Sequence, residues 1–226
     1  MENGHADRFA KLAYQLHVQE GFEETLEKLV ESAPATVGCH SAGVLVTSKH
    51  IEMEAAAATD TVADKAGRLE VEYDQGPGGT AISEARTVLV PDVQAETRWP
   101  QWVAGASDLG VGSVLAVRLW TSHTTLGALN LYATSAQWFD ADALGVAEIV
   151  ARHASIALAS ARHEESLWQA IDSRKLIGQA QGILMERFDL DGGRAFEVLR
   201  RYSQDTNTKL VEVARRLAQT RELPGL

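Results

Sequence analysis

The stretch LIGQAQGILMERF, Leu176 to Phe188, has the apolar spacing of an amphipathic helix, yet it carries two glycines four residues apart. Glycine inside a helix costs about 0.5–1 kcal/mol relative to alanine. Gly178 and Gly182 lie on one face of the predicted helix, offset from its apolar stripe. Their missing side chains would therefore let another backbone come close, either from a neighbouring helix or from a ligand.

Two further helices are predicted after this stretch, with Asp191 as the cap of the first and Asn207 as the cap of the second. Apolar residues repeat at helical spacing along all three segments: Ile177, Ala180, Leu184 and Phe188; Ala195, Phe196, Leu199 and Tyr202; Leu210, Val213, Ala214 and Leu217. Three such stripes can close a small core, so the sequence predicts a compact three-helix unit.

Mostly cationic side chains are left to face water around this unit. They are Arg174, Lys175, Gln181, Arg200, Arg201, Gln204, Asn207, Lys209, Arg215 and Arg216. Cationic groups together with Gln and Asn side chains suit contacts to phosphates and to base edges. The same composition also fits the solvated faces of ordinary amphipathic helices.

The charge of the chain is divided unevenly. The 226 residues carry a net charge of −10, but from Ser173 onward ten Lys and Arg face seven Asp and Glu. A strongly acidic body is thus followed by a mildly basic tail, and this split indicates that the tail meets something anionic.

The first part of the chain predicts an antiparallel sheet flanked by helices, an α+β fold. Strands are predicted from Ser41, from Ile51, in TVLVPDV from Thr87, and in VGSVLAVRLW and TLGALNLYAT, with TSHTT as the turn between the last two. Helices are predicted over Ala6–Gln19, Phe22–Val37 and Thr80–Arg86.

A long connecting helix is predicted from Asp142, because no proline occurs between there and Phe188. Its small residues recur at coiled-coil spacing: Ala147, Ala151, Ala154, Leu158 and Ala161. Such a seam fits either packing against the sheet or a close contact between two chains, and we expect a homodimer. Because Glu165 and Asp172 fall on the same seam, we expect the helix to bend or break once.

Several classes of protein are disfavoured by what the sequence lacks. No apolar run approaches the roughly 20 residues of a membrane span, and the N-terminus has no secretory pattern, so a cytoplasmic location without membrane attachment is expected. The single cysteine, Cys39, is interpreted as a small buried apolar residue. No catalytic triad and no metal-ligand spacing of histidines is found, so we expect neither an enzyme nor a metal site.

The tail, from about Leu167 to Ala218, closely resembles the ANTAR domain of bacterial transcription antiterminators. The likeness lies in SRKLIGQAQGILMERF and in AFEVLRRYSQDTNTKLVEVA. The resemblance implies a three-helix unit that binds paired hairpins with six-nucleotide loops in leader mRNA and so prevents formation of a terminator. It assigns RNA contact to Arg174, Gln181, Arg200, Gln204, Asn207 and Lys209.

Two departures from the ANTAR pattern occur in this tail. Gln181 stands where a lysine is usual, which removes a phosphate-directed charge. Gly192 and Gly193 replace the acidic or alanine residues that usually follow the Asp191 cap, and they weaken the start of that helix.

The front part, from about Glu20 to Ala161, resembles a GAF domain. The likeness lies in QGPGGTAISEARTVLVPDVQAETRWPQW, LGVGSVLAVRL and LGALNLYA. It implies a sensor that takes a small-molecule effector, although no motif identifies one. Gly79, Thr80, Trp99 and Trp120 are the candidate pocket residues, and the tryptophans, with Trp102, fit a core equally well.

The predicted domains are a GAF sensor over 1–160, a connecting helix over 142–172 and an ANTAR domain over 165–220. Two other functions stay open. One is a DNA-binding regulator of helix-turn-helix type, and the other is a sensor that acts through a protein partner.

Overall fold

The computed structural model describes residues 3–19, 21–47, 53–122 and 124–222. The chain divides into two compact units, residues 1–162 and 163–226. The first unit contains the helices α1 (Asn3–His17), α2 (Phe22–Val37), α3 (Thr61–Tyr73), α4 (Pro77–Ser83) and α5 (Pro100–Asp108). Its strands are β1 (Ser41–Thr47), β2 (Met53–Ala58), β3 (Val88–Val90), β4 (Ser113–Trp120) and β5 (Thr125–Ala133). Helix α6 (Ala141–Phe188) begins in the first unit and ends in the second.

The five strands form one antiparallel sheet in the order β2-β1-β5-β4-β3. The predicted hairpin is confirmed, since β4 and β5 pair from Ser113 opposite Ala133 to Trp120 opposite Thr125. His123 in the middle of this turn and Ile51 at the predicted start of β2 lie outside the described residues. The α+β fold with a helix-flanked antiparallel sheet is thereby confirmed.

Both faces of the sheet are buried, and the alternation of side chains along β4 shows how. Leu115, Val117 and Leu119 belong to the cluster that includes residues of α2 and α6. Val114 and Ala116 belong to the opposite cluster, with residues of α3 and α5. Because successive side chains of a strand point to opposite faces, an almost continuous apolar run fits a strand that is covered on both sides.

The small-residue seam of α6 packs within the first unit. Ala147, Ala151, Ala154 and Leu158 are all buried and belong to the same cluster as the α2-facing side of the sheet. This outcome confirms the first of the two alternatives for the seam. We expected one bend or break, and a break is wrong, because α6 is one uninterrupted helix of 48 residues. Asp172 is exposed to water, so its charge does not require the helix to end.

We expected that no segment of the chain could cross a membrane. That expectation was too strong, because α6 is long and apolar enough to do so. Among the described residues it is the one helix whose length and composition would permit a span. A core helix satisfies the same criterion, and the seam residues of α6 are core residues here.

The second unit contains the end of α6 with α7 (Gly192–Asp205) and α8 (Leu210–Thr220). Its core confirms that three apolar stripes close on one another: Ala180, Leu184, Ala195, Leu199, Val213, Ala214 and Leu217 are buried together. Phe188, the last residue of the predicted first stripe, is exposed and does not belong to this core. The Asp191 cap is also confirmed, since its carboxylate accepts the Arg194 N–H at 2.8 Å. Asn207 as the cap of α8 is wrong, because that position is held by Lys209.

Two helices of the first unit were not predicted. Helix α3 buries Ala63, Ala66, Gly67 and Glu70, a face too small and too polar to show as an apolar stripe. Its start did carry a signal, because the Asp60 carboxylate accepts the Ala63 N–H at 2.9 Å as an N-cap. Helix α5 begins at Pro100, the position at which proline is tolerated in a helix.

Candidate nucleic-acid interface and effector pocket

Four of the six predicted RNA-contact residues fall within ten positions at the junction of α7 and α8. Arg200 and Gln204 are one helical turn apart, so they share a face of α7. Asn207 and Lys209 lie in the connection that follows, and all four are exposed. The fold therefore presents two cationic side chains and two amide side chains over a short stretch of surface.

Local hydrogen bonds fix the connection that carries Asn207. The Ser203 hydroxyl donates to the Thr208 carbonyl at 2.6 Å, and the Thr208 N–H donates back to the Ser203 carbonyl at 3.0 Å. Asn207 adopts a left-handed conformation with φ of 49°, which asparagine tolerates better than most residues. These constraints fix the backbone from which the Asn207 side chain extends.

Most of the predicted contact residues keep their polar groups available. Within the described part of the chain, the side chains of Arg174, Gln204, Asn207 and Lys209 make no hydrogen bond or ion pair. Arg200 differs, because its guanidinium pairs with Glu197 one turn earlier. Both members of that pair are more than half exposed, so the pair is weak and exchangeable.

Gln181 has a structural contact instead. Its Nε2 donates to the Gly192 carbonyl at 3.0 Å, and the side chain is half-buried. The bond joins α6 to the first residue of α7, where the sequence showed a softened helix start. Arg174 lies two helical turns earlier on the same face of α6 and is exposed. Gln181 thus makes a contact within the fold, whereas Arg174 stays exposed to water. The sequence did not predict this difference.

Gly178 and Gly182 of α6 face open space. A Cβ added to Gly178 or Gly182 would meet no atom of the described residues within 4 Å, apart from the nearby backbone of α6 itself. Crowding by a neighbouring helix of this chain is therefore the wrong explanation for them. Gly182 instead lines a cleft of about 630 Å³ with Glu186 and Arg221. Approach of a ligand backbone at Gly182 stays a prediction.

Three of the four candidate pocket residues come together in the first unit. Gly79, Thr80 and Trp99 line a cleft of about 540 Å³, with Met53 and Asp74 at its border. Trp99 is mostly buried, and Trp102 beside it is completely buried, so these rings also fill the core.

Trp120 does not belong to this cleft. It is half exposed at the end of β4 and lines a separate groove of about 270 Å³ with Arg118 and Arg152. The Arg118 guanidinium lies 5.5 Å from the Trp120 ring centre. Trp120 therefore does not share a cleft with Gly79, Thr80 and Trp99, because the end of β4 lies at a different groove from α4. Its role in effector binding stays a prediction.

The GPGG turn that opens α4 is closed from inside the chain. The Glu70 Oε2 accepts the Gly78 N–H at 2.7 Å and the Gly79 N–H at 3.0 Å. The N–H groups at a helix start need hydrogen-bond acceptors, and here the acceptor is the carboxyl group of Glu70 on α3. Sequence reasoning missed Glu70 because it missed α3.

Family comparisons agree with this division into units. The profile of the GAF domain family matches residues 19–159, and that of the ANTAR domain family matches residues 165–217. The chain belongs to the GAF domain family and carries an ANTAR domain. Both are regulatory domains, so the protein is a regulator with a GAF domain followed by an ANTAR domain.

Solved structures share the fold of the GAF domain. Free methionine-R-sulfoxide reductase from Neisseria meningitidis is 14% identical, with a TM-score of 0.58, over 71% of this chain and 91% of its own. The GAF domain of a phosphoenolpyruvate-protein phosphotransferase from Acinetobacter is 13% identical, with a TM-score of 0.58, over 72% and 97%. A bacteriophytochrome from R. palustris is 7% identical, with a TM-score of 0.61, over 80% and 42%. No curated protein matches the sequence.

A buried polar network lies beside the cleft that Gly79, Thr80 and Trp99 line in the GAF domain. The Asn130 Nδ2 donates to the Glu70 Oε1 at 2.6 Å and to the Tyr132 hydroxyl at 3.2 Å. Burial raises the pKa of Glu70 to about 8, although the N–H groups of Gly78, Gly79 and Asn130 oppose the shift. Burial, together with the charge of Glu70, also raises the pKa of Tyr132. Ionisation of Glu70 is thus tied to the start of α4.

Cys39 of the GAF domain is half-buried rather than fully buried. Its Sγ donates to the Ser41 carbonyl at 3.5 Å, and burial raises the pKa of the thiol to about 12. Such a thiol is rarely a thiolate and is a poor nucleophile at neutral pH. In the described residues no three His, Cys, Asp or Glu side chains are placed to share a metal ion.

Proposed function

We propose that the protein is a cytoplasmic, RNA-binding transcription antitermination regulator. Its ANTAR domain binds paired stem-loops in leader mRNA and prevents formation of the terminator, under the control of the GAF domain. The observation that carries this proposal is the ordered connection between α7 and α8. It holds Asn207 and Lys209, both exposed and without side-chain partners in the described chain, inside the matched ANTAR range.

The chemistry of these residues suits a hairpin loop. Bases in an RNA loop are unstacked, and their edges are open to side chains. Gln204 and Asn207 offer both donors and acceptors to such edges. Lys209 and Arg174 offer charge to phosphates, as does Arg200 once its exposed pair with Glu197 exchanges.

A homodimer is part of the same proposal. Two hairpins in one transcript favour a protein with two linked binding sites, since linkage raises the effective concentration of the second site. Helix α6 leaves large apolar side chains exposed that support self-association. They include Ile149 and Ile156 in its first part and Leu167, Trp168 and Ile171 in its second. Because α6 is continuous through both domains, we propose that it also carries the effector signal.

The proposal is tested by measuring affinity for an RNA with two six-nucleotide-loop hairpins. The comparison ligands are the same stems with altered loops and a duplex DNA of equal charge. We expect preference for the intact loops, and Asn207→Ala should reduce that preference by about tenfold. Lys209→Gln should weaken binding to both RNAs and reduce the salt slope by about 0.7–0.9.

Arg216→Gln serves as the control for the loss of charge. Arg216 lies on α8, is exposed, and falls outside the predicted contact set, so its replacement should have the smaller effect. Preference for the duplex DNA would favour the DNA-binding alternative. Absence of nucleic-acid binding by the dimer would favour a regulator that acts through a protein partner, and either result overturns the proposal.

A further inference from the structure

Strand β2 forms one edge of the GAF sheet and pairs only with β1. The backbone N–H and C=O groups on its outer side therefore have no partner strand among the described residues. Such an edge can take an added strand, and proteins usually protect it with long charged side chains, proline or β-bulges. Strand β2 has one irregularity of this kind, at Ala56, which has no register partner on β1. Here four of the six residues, 55–58, are alanines, whose short side chains leave the backbone accessible.

Two clefts follow this edge. The larger, of about 800 Å³, is lined by residues of α2, α3 and β2. The second, of about 490 Å³, continues along Ala56–Thr59 beside α2. Helix α2 covers one face of the sheet and α3 the other, so the free edge of β2 lies between two helical walls.

Both helical walls and the strand contribute carboxylates. The larger cleft is lined by four carboxylates, and none of them has a hydrogen bond or ion pair among the described residues: Glu23, Glu27, Glu54 and Glu72. The cation that lines this cleft, Arg68, is already held by Asp64 at 2.9 Å. Unneutralised like charges repel one another, and a cationic occupant would relieve that repulsion.

We propose that the β2 edge of the GAF domain binds a basic, extended peptide segment of a partner protein as an added sixth strand. A strand of six residues is about 20 Å long, which matches the length of β2. Its side chains would alternate between the α2 wall with Glu23 and Glu27 and the α3 wall with Glu72. Lysines on both faces of the peptide would then meet carboxylates.

Other occupants fit less well. No three of the acidic groups in the described residues are placed to share one metal ion. A second copy of this chain added at the same edge would bring Glu27 and Glu54 against like charges. An extended cationic peptide satisfies the backbone groups and the carboxylates together.

The probe for this surface is a capped, fluorescently labelled hexapeptide, Lys-Lys-Thr-Lys-Lys-Thr, titrated into the full-length protein in the absence of RNA. We expect binding that weakens as salt is added. The peptide with glutamate in place of lysine should bind at least about tenfold more weakly.

Backbone recognition is tested with two N-methylated versions of the probe, one methylated at the odd positions and one at the even positions. In an added strand, alternate residues direct their N–H groups toward the neighbouring strand. One version should therefore lose about tenfold or more in affinity, while the other binds nearly as the parent. Equal behaviour of the two would contradict strand addition.

Matched variants of the protein test whether the acidic side chains of the clefts and the backbone of the β2 edge bind the peptide. Glu27→Gln should weaken binding about three- to fivefold, whereas Glu24→Gln, on the same helix but outside the clefts, should not. Ala56 is exposed and lies outside the β1 register, so Ala56→Pro should abolish binding while the sheet stays folded by circular dichroism.

The proposal is overturned if the acidic peptide binds equally well or if Glu27→Gln and Glu24→Gln behave alike. Unchanged binding by a folded Ala56→Pro variant would overturn it as well. Each of these outcomes is independent of RNA binding by the ANTAR domain, because no RNA is in the assay.

Discussion

The Glu70 carboxylate accepts the Gly78 backbone N–H at 2.7 Å, so α3 closes the start of α4 from inside the GAF domain. The same side chain touches Asn130 on β5, and these contacts tie two helices to the sheet. Since Gly79 and Thr80 of α4 line the candidate effector cleft, a change in the protonation state of Glu70 would act on the wall of that cleft.

The first prediction concerns the pH dependence of stability. Burial raises the pKa of Glu70 from 4.5 to about 8 in the folded protein. Its contribution is therefore fully present below pH 4.5, and it is lost as the pH rises toward about 8. The slope is at most about 1.4 kcal/mol per pH unit. Glu70→Gln should remove it, as measured by urea unfolding with tryptophan fluorescence, since four of five tryptophans lie in residues 1–162. An unchanged slope would contradict this assignment.

A second prediction concerns Gly76, the residue before α4. Its φ of 153° is one that side chains rarely adopt, and a Cβ there would lie 2.3 Å from the Glu70 Cγ. Gly76→Ala should lower the free energy of unfolding by about 2–3 kcal/mol. Gly79→Ala is the control, because its Cβ would meet only the flexible end of Met53, so a loss below about 1 kcal/mol is expected.

The helix glycines of the ANTAR domain give a third prediction. Because both face open space, Gly178→Ala and Gly182→Ala should each raise stability by about 0.5–1 kcal/mol in thermal unfolding. Only Gly182→Ala should also weaken RNA binding, since Gly182 is where we expect the ligand backbone to come close. If neither substitution changes RNA affinity, close approach is not the reason for these glycines.

Gln181 provides a fourth prediction. Loss of its hydrogen bond to the Gly192 carbonyl in Gln181→Ala should lower the stability of the ANTAR domain by about 1 kcal/mol. Gln179→Ala, at an exposed position two residues earlier, should change stability little. Circular dichroism on heating compares the two, and equal effects would argue against a structural role for Gln181.

A fifth prediction concerns Cys39. With a thiol pKa of about 12, alkylation by iodoacetamide at neutral pH should be at least about a hundredfold slower in the folded protein than in urea. Mass spectrometry over time measures both rates. Rapid labelling of the folded protein would show that the thiol is neither buried nor protonated as the structure has it.

Local patterns allowed much of this fold to be predicted. Helix α2 has the predicted bounds, Phe22–Val37, because its apolar residues repeat clearly and Gly38 follows it. The hairpin of β4 and β5 and the Asp191 cap were likewise readable from neighbouring residues. Helix α3 was not predictable in this way, because its buried face combines small residues with Glu70. Only the fold reveals which groups hydrogen-bond to a buried carboxyl group.

For the candidate sites, sequence identified residue types but not their roles. In the sequence, Gln181 and Asn207 are both amide residues that were predicted to face water. In the structure, Gln181 bonds to Gly192, whereas Asn207 has no side-chain partner in the described chain. Trp99 and Trp120 were grouped by chemistry alone, and the structure places them at different grooves.

The sequence by itself determined most of the helices and strands, though not α3 and α5, and the family to which each part belongs, because periodicity, caps and motifs are properties of neighbouring residues. Only the tertiary structure decided that the α6 seam faces the sheet, that Glu70 closes α4, and that the edge of β2 lies between acidic walls. The first and third of these relationships join residues far apart in the chain, and the second joins two neighbouring helices. No local pattern encodes which surfaces meet when the chain folds.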